Sequence, residues 1–347
     1  MNLTIRTKEA THQVECAEGD RILFAGLRAG IALPYECATG TCGTCKARTR
    51  SPDVEDLWPE APGRVYLKAE RGEILMCQAR AHGDCEILVP GRPAAPPTDR
   101  IAPDERAASV VAAKSLTHDV MSFSVELDRP IGFHAGQFMV VEAPGTVGFR
   151  AYSMVNYAEQ TTSLDFVVKR KPGGEFSEWL FGDQVVGASL RLFGPLGRAT
   201  FHPEEHKDLL CIAGGSGIAG MMSMLARGFR DGYFSNHRGR VFFGVRTMQD
   251  AFFLDELSRL QSMAPEHLRI TVALSEEDAP DAESTPYPNL TYASGMVHQV
   301  AAEQMRGSYE NTIAFVAGPA PMVDGAIRIL ILEGRLPAGD IRYDKFS

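Results

Sequence analysis

The spacing of apolar residues changes twice along this chain, and each rhythm predicts a different kind of domain. At the start Leu3 and Ile5 alternate with polar neighbours, which predicts strands over Leu3–Thr7 and Gln13–Cys16. Gly19 and Asp20 then precede Ile22, Leu23 and Leu27, which share one helical face. A helix over Arg21–Ala29 is expected, capped by Asp20 and stopped at Gly30. A last strand, "CEILVP", ends at Pro90, so residues 1–91 read as a first domain. The proline-rich "GRPAAPPTDRIAP" that follows reads as a stiff linker over 92–103.

Between 104 and 205 the period is two. "DVMSFSVEL", "FMVVEA", "RAYSMV" and "LDFVVKR" alternate apolar with polar residues and are separated by glycine-rich turns, the pattern of a small antiparallel barrel. One short helix is expected at Glu175–Phe181. From 206 to 347 buried strands ("LLCIAG", "RVFFGV", "RITVAL", "TIAFVAG") alternate with helices expected over Met221–Phe229, Phe252–Leu260, Val297–Met305 and Met322–Leu332. That alternation predicts a parallel sheet covered on both faces, with ligands beyond the carboxyl ends of its strands.

Bulk numbers narrow the function. A length of 347 residues exceeds what one core usually spans, in keeping with several domains. A net charge of −9 argues against nucleic acid as the main partner. No apolar run approaches a membrane span, and the first residues lack the basic and apolar blocks of a secretory signal. The expected compartment is the cytoplasm, where thiols stay reduced, so clustered cysteines there point to metal or catalysis before disulfides.

Such a cluster exists. Cys37, Cys42 and Cys45 form C-x4-C-x2-C within "PYECATGTCGTCK", and Cys77 follows in "ILMCQA". This three-plus-one spacing is the plant-type ferredoxin pattern for a [2Fe–2S] centre. The small residues between the cysteines let backbone N–H groups turn toward sulfur, and Gly40 and Gly43 can take positive φ. Zinc is the competing metal, although its structural sites usually pair cysteines as C-x2-C twice. Cys16, Cys85 and Cys211 lie in strand patterns and read as plain buried thiols.

In the barrel segment, "FRAYSMVN" and "VVKRKPGGEFS" place an R-x-Y-S strand ahead of a Gly-Gly helix start, which suits a pyrophosphate. With "LPYECATGTCGTCK", "DLWPEAPG", "AGGSGIA" and the terminal "YDKF", the whole chain resembles the reductase components of bacterial multicomponent oxygenases, within the ferredoxin–NADP reductase superfamily, and particularly those of the toluene 4-monooxygenase kind. The resemblance implies a β-grasp ferredoxin domain, an antiparallel FAD barrel and an α/β nucleotide domain. It implies that Cys37, Cys42, Cys45 and Cys77 ligate the cluster. Arg150 would hold the FAD phosphates, Tyr152 would pack on the flavin ring and Ser153 would reach its N5 edge, these last two acting at the reacting centre. The backbone at Val168 and Lys169 and the turn containing Gly174, Phe176 and Ser177 would hold the rest of FAD, with Phe346 against the ring.

"CIAGGSGIAGMMSML" supplies a literal G-x-G-x-x-G at Gly215, Gly217 and Gly220, but the next strand ends in Arg246 rather than in the acid that a full dinucleotide fingerprint requires. The resemblance reads it as a nicotinamide turn, with Gly214, Gly215, Ser216, Gly217 and Ile218 admitting the cofactor. Gly318, Pro319 and Met322 would shape its far end, and Arg246 would meet the adenosine half. Two departures stand out: Gly220 replaces the family's usual proline, and Ala317 replaces a cysteine that would lie near the transferring hydride. NADH is favoured, with NADPH possible, because no Arg/Lys/Ser group is set for a 2′-phosphate. The implied partner is a Rieske-type ferredoxin or a terminal oxygenase component, with a di-iron aromatic monooxygenase favoured. A Rieske dioxygenase, a cytochrome P450 or a cluster-based redox sensor are the alternatives. The loop rim at Ala38–Thr41 is the expected docking edge.

Overall fold

The computed structural model describes residues 1–91 and 101–346, which three main sheets organise. Most of the linker expected over 92–103 therefore lies outside the described residues. The first 91 residues form β1 (Asn2–Arg6), β2 (Thr11–Glu15), α1 (Ile22–Arg28), β3 (Lys46–Arg48), β4 (Val54–Asp56), β5 (Glu73–Leu75), β6 (Ala79–Ala81) and β7 (Cys85–Leu88). β1 lies between antiparallel β2 and parallel β7, in a mixed sheet ordered β2-β1-β7-β3-β5. Ile22, Leu23 and Leu27 of α1 share a core with Leu3, Ile5 and Ile87, which gives the β-grasp arrangement. Asp20 does not cap α1. The helix begins one residue later than expected, leaving Arg21 at the cap position, and the Asp20 carboxylate accepts from the Arg28 guanidinium at 2.8 Å instead.

The barrel comprises β8 (Asp104–Ser115), β9 (Val120–Ile131), β10 (Phe138–Glu142), β11 (Arg150–Ser153), β12 (Thr161–Lys169), α2 (Glu175–Leu180) and β13 (Ser189–Leu196). Neighbouring strands are antiparallel, in the order β11-β10-β13-β8-β9-β12. The chain leaving β11 closes on β12, where the Val155 N–H donates to the Asp165 carbonyl at 2.8 Å. Phe123, Phe166 and Phe176 fill the interior. β8 alternates only in its middle, where Ala108 and Val110 face inward between exposed neighbours.

The third unit holds β14 (Asp208–Gly214), α3 (Ile218–Arg230), β15 (Gly239–Val245), α4 (Leu254–Met263), β16 (Leu268–Leu274), β17 (Thr291–Ser294), α5 (Val297–Gln304), β18 (Thr312–Pro319), α6 (Ala320–Leu332) and β19 (Ile341–Phe346). The strands are parallel and run β17-β16-β15-β14-β18-β19. Strand order reverses between β14 and β18, so a crevice opens beyond their carboxyl ends.

The barrel sits in the middle. Phe24 of α1 stacks on Phe193 of β13 with centroids 4.1 Å apart, and Phe138, Val140, Phe149 and Leu196 belong to the same core as the first domain. On the other side, the Ser223 hydroxyl of α3 accepts from the Gly136 N–H at 2.8 Å and donates to the Gly220 carbonyl at 2.7 Å.

Candidate functional site

The loop between α1 and β3 brings the four cysteines together. Cys37 Sγ lies 3.2 Å from Cys42 Sγ, and Cys45 Sγ lies 3.2 Å from Cys77 Sγ. All seven cysteines are free thiols, and Cys16, Cys85 and Cys211 are buried in the cores as expected. The Thr39 N–H points at Cys37 Sγ at 3.4 Å and the Thr44 N–H at Cys42 Sγ at 3.5 Å. The bond from Cys42, helped by Thr41 and Thr39, pulls the Cys37 thiol well below the usual range and so favours a thiolate. Gly40 and Gly43 have φ of 95° and 77°. Pro62–Tyr66 forms a 3₁₀ turn that buttresses the loop: the Gly63 N–H donates to the Gly40 carbonyl at 2.9 Å. Four convergent sulfurs with N–H groups aimed at them fit an anionic metal–sulfur centre.

The expected exposed rim is a correction. Ala38 is 1% and Thr39 7% exposed, and Gly40 is buried as well. The Pro62–Tyr66 turn and the Gln78 side chain press on that stretch, where a Cβ at Gly40 would meet Gln78 Cγ at 2.8 Å. Thr41 alone of the expected rim stays partly exposed, and with Glu36, Cys37, Cys42 and Thr44 it keeps the open side of the loop.

The flavin residues line the end of β11 and its neighbours. Arg150 donates only to the Val147 and Phe149 carbonyls of its own loop, both at 3.1 Å, and no carboxylate pairs with it among the described residues. A half-buried guanidinium so placed fits a phosphate. The Tyr152 ring packs 4.9 Å from that of Phe176, and burial pushes its phenol up. Val168 is buried in β12, and Lys169 pairs with Asp119 at 3.1 Å. The Gly174–Ser177 turn offers backbone rather than side chains: Phe176 is in the barrel core, and the Ser177 hydroxyl accepts from the Lys171 N–H and faces the Lys171 and Gly174 carbonyls.

Across the cleft, β14 ends at Gly214, Gly215–Gly217 makes one 3₁₀ turn, and α3 begins at Ile218, whose side chain is a core residue. A Cβ on Gly214 would stand 3.1 Å from both Pro319 Cδ and Met322 Cε, so three of the expected nicotinamide residues converge. Ser216 is half-buried beside them. Gly217 packs against the backbone of Ala317 and Gly318. Phe346 pairs in register with Pro319. A Cβ on Gly220 would lie 3.5 Å from Ser153 Cβ, so α3 touches the strand end carrying the flavin residues. Arg246 stands apart at the end of β15, bonded to Asp250 at 3.2 Å and 3.9 Å from Asp119.

Two residues escaped sequence reasoning. Arg21 is a buried cation whose Nη1 donates to the Cys77 carbonyl at 2.6 Å; its sequence trace is a single Arg between Asp20 and the apolar run Ile22–Phe24. Asp344, in the quoted "YDKF", is raised to about 7 by burial, with Glu36 of the cysteine loop adding.

The chain matches three families in succession: a 2Fe-2S iron-sulfur cluster binding domain over residues 5–82, an oxidoreductase FAD-binding domain over 107–201 and an oxidoreductase NAD-binding domain over 211–328. It is 35% identical over 335 residues to the ferredoxin–NAD(P)(+) reductase CarAd of Metapseudomonas resinovorans, covering 95% of this chain and 96% of that protein. It is 34% identical over 340 residues to the ferredoxin–NAD(+) reductase component of the alkene monooxygenase system of Xanthobacter autotrophicus, covering 95% and 97%. The solved ferredoxin reductase in carbazole 1,9a-dioxygenase superposes with a TM-score of 0.83 at 32% identity, covering 100% and 98% of the two chains. No helix among the described residues is long and apolar enough to cross a membrane. With three cofactor domains in this order and relatives matched from end to end, the chain belongs to the FAD- and [2Fe–2S]-containing reductase components of multicomponent oxygenases, in the ferredoxin–NADP reductase superfamily.

Proposed function

We propose that this chain is an NADH-dependent reductase acting in the cytoplasm. It delivers single electrons to a Rieske-type ferredoxin or to a terminal oxygenase component, with a di-iron aromatic monooxygenase the favoured system. Its functional units are residues 1–91, 104–205 and 206–347, joined by 92–103. When bound, FAD supplies the conversion of a hydride into two single electrons and the [2Fe–2S] centre supplies their one-electron exit.

The protein's own part is binding and orientation. Cys37, Cys42, Cys45 and Cys77 hold the cluster. Arg150 takes the FAD phosphates, and the backbone of Val168, Lys169 and the Gly174–Ser177 turn supports the remainder. Tyr152 and Phe346 pack on the ring, and Ser153 stands at its reactive edge. Gly214–Ile218 with Gly318, Pro319 and Met322 admit the nicotinamide. The observation that carries the reading is the approach of Gly220 to Ser153, which closes the nucleotide crevice directly onto the flavin strand. Reacting atoms held roughly 3–3.5 Å apart need no acid or base, so closeness does most of the work.

The same structure favours NADH. Asp250 pairs with Arg246 at 3.2 Å, which leaves it poorly suited to a 2′-phosphate. The test is anaerobic addition of each nucleotide to the purified holoprotein, followed by visible spectra. NADH should bleach the flavin and then the cluster absorbance, and NADPH should need about tenfold more to act, the worth of one phosphate contact. A colourless protein, or one holding zinc without iron, overturns the reading. Equal response to NADPH overturns the nucleotide preference alone.

A further inference from the structure

Arg21 is 8% exposed, yet its hydrogen-bond partners are neutral: the Cys77 carbonyl at 2.6 Å and Gln78 Oε1 at 3.1 Å. No carboxylate pairs with it among the described residues. The neighbouring Glu142 is taken by Arg191 at 3.0 Å, and Arg80 pairs with Glu55 at 3.6 Å. Lone buried ions are costly, and native proteins give them a counter-charge. As a cluster ligand Cys77 would be a thiolate, and Arg21 already holds that residue's carbonyl, so the ligand set would stand as its counter-charge. The guanidinium's other side reaches the flavin cradle. Cζ lies 4.9 Å from the centre of the Phe149 ring, and a Cβ on Gly148 would stand 3.7 Å from both Arg21 Nη2 and Arg150 Nη1.

We propose that Arg21 is the counter-ion of the iron–sulfur centre, a positioning residue whose fixed charge at Cys77 favours the reduced cluster and ties it to the flavin cradle. The inference rests on the four cysteines being the ligands. The step it acts on moves one electron from the reduced flavin, charged by NADH, to the centre. No bond forms or breaks at the centre, which becomes more negative by one charge beside Arg21.

The experiment is a mediated redox titration of the holoprotein, with the reduced cluster read by electron paramagnetic resonance, on the unchanged chain, Arg21→Gln and Arg21→Lys. At the native midpoint, Arg21→Gln should lower the reduced-to-oxidised ratio about tenfold, a midpoint fall of about 59 mV for one electron, as expected for losing one nearby charge in a protein site. Arg21→Lys, which keeps the charge, should stay within about threefold, and the flavin midpoint should hold in both. An intact signal with an unchanged midpoint in Arg21→Gln overturns the proposal, as does Arg21→Lys falling as far as Arg21→Gln. If Arg21→Gln loads no cluster, Arg21→Lys decides: a near-native midpoint supports the proposal and a tenfold displacement overturns it. An unchanged chain with no reduced-cluster signal overturns the ligand assignment, and this inference with it.

Discussion

Gly217→Ala separates two reasons why a turn demands glycine. Gly217 has φ −60° and ψ −20°, a conformation open to any residue, so backbone freedom is not what the position needs. Space is. An added Cβ would clash with the Ala317 carbonyl oxygen and stand 2.6 Å from its carbon and 3.1 Å from the Gly318 nitrogen. These atoms are all backbone, so none can rotate away. Carbon–carbon contact begins near about 3.5 Å, so the turn and β18 must part by about 1 Å. Overpacking of this kind costs about 1–3 kcal/mol of stability. The kinetic cost should be larger in effect, because these two segments are the lips of the nucleotide crevice. A misplacement of about 1 Å can cost about a hundredfold in rate, or about 2.7 kcal/mol in the barrier. The assay is NADH–ferricyanide turnover of flavin-loaded protein, with kcat and KM taken separately and thermal melting as the check on folding. Gly220→Ala is the matched control. There the nearest atom to the new Cβ is Ser153 Cβ at 3.5 Å, an ordinary contact. The site is helical, so that variant should keep its rate within about twofold and gain up to about 1 kcal/mol. Native kcat/KM and melting temperature in Gly217→Ala would refute the steric argument.

Three further outcomes are expected. Cys77→Ser removes a fully buried ligand, so iron content and cytochrome c reduction should fall about tenfold or more while NADH–ferricyanide turnover stays within about threefold; native iron content and cytochrome c reduction would place the cysteine outside the electron path. In Gly63→Ala the new Cβ would meet the Gly40 carbonyl oxygen at 2.7 Å and the Gly43 nitrogen at 2.8 Å, so cluster loading should drop and stability should fall by about 1–3 kcal/mol, read as iron per chain and melting temperature. Asp344 is held at about 7 by burial and Glu36, above its unfolded value of about 3.9. The unfolded chain loses this proton first, so stability should decline as pH rises from about 4 to about 7 and then level off. Asp344→Asn should match the unchanged chain at about pH 4 and exceed it at about pH 8 in urea unfolding; equal curves at both would refute the assigned burial.

The parallel strands of the nucleotide unit were legible because each is a continuous apolar run, and the four cysteines because their spacing is itself chemical information. β17 and β19 were not, since "TYAS" and "IRYDKF" are edge strands whose pairing, not composition, defines them. The Asp20 cap failed through competition: Arg28, at the far end of the helix, captured the carboxylate. The buried Ala38–Gly40 rim depends on a segment some 25 residues later folding over it, and no local pattern reports that. Arg21 shows the same limit, because its meaning comes from Cys77 and Phe149, one in another loop and one in another domain.

The stacked pair Phe24–Phe193 changes how electron delivery must be pictured. The first domain shares its core with β10 and β13, so it is not a carrier swinging on a tether between a charging post and a customer. The first domain is docked on the barrel by folding, so internal transfer would need no separate docking step. Encounter is then the acceptor's task alone. Turnover with a natural partner should follow that partner's concentration and the ionic strength, and a longer or shorter 92–103 segment should leave it nearly unaltered.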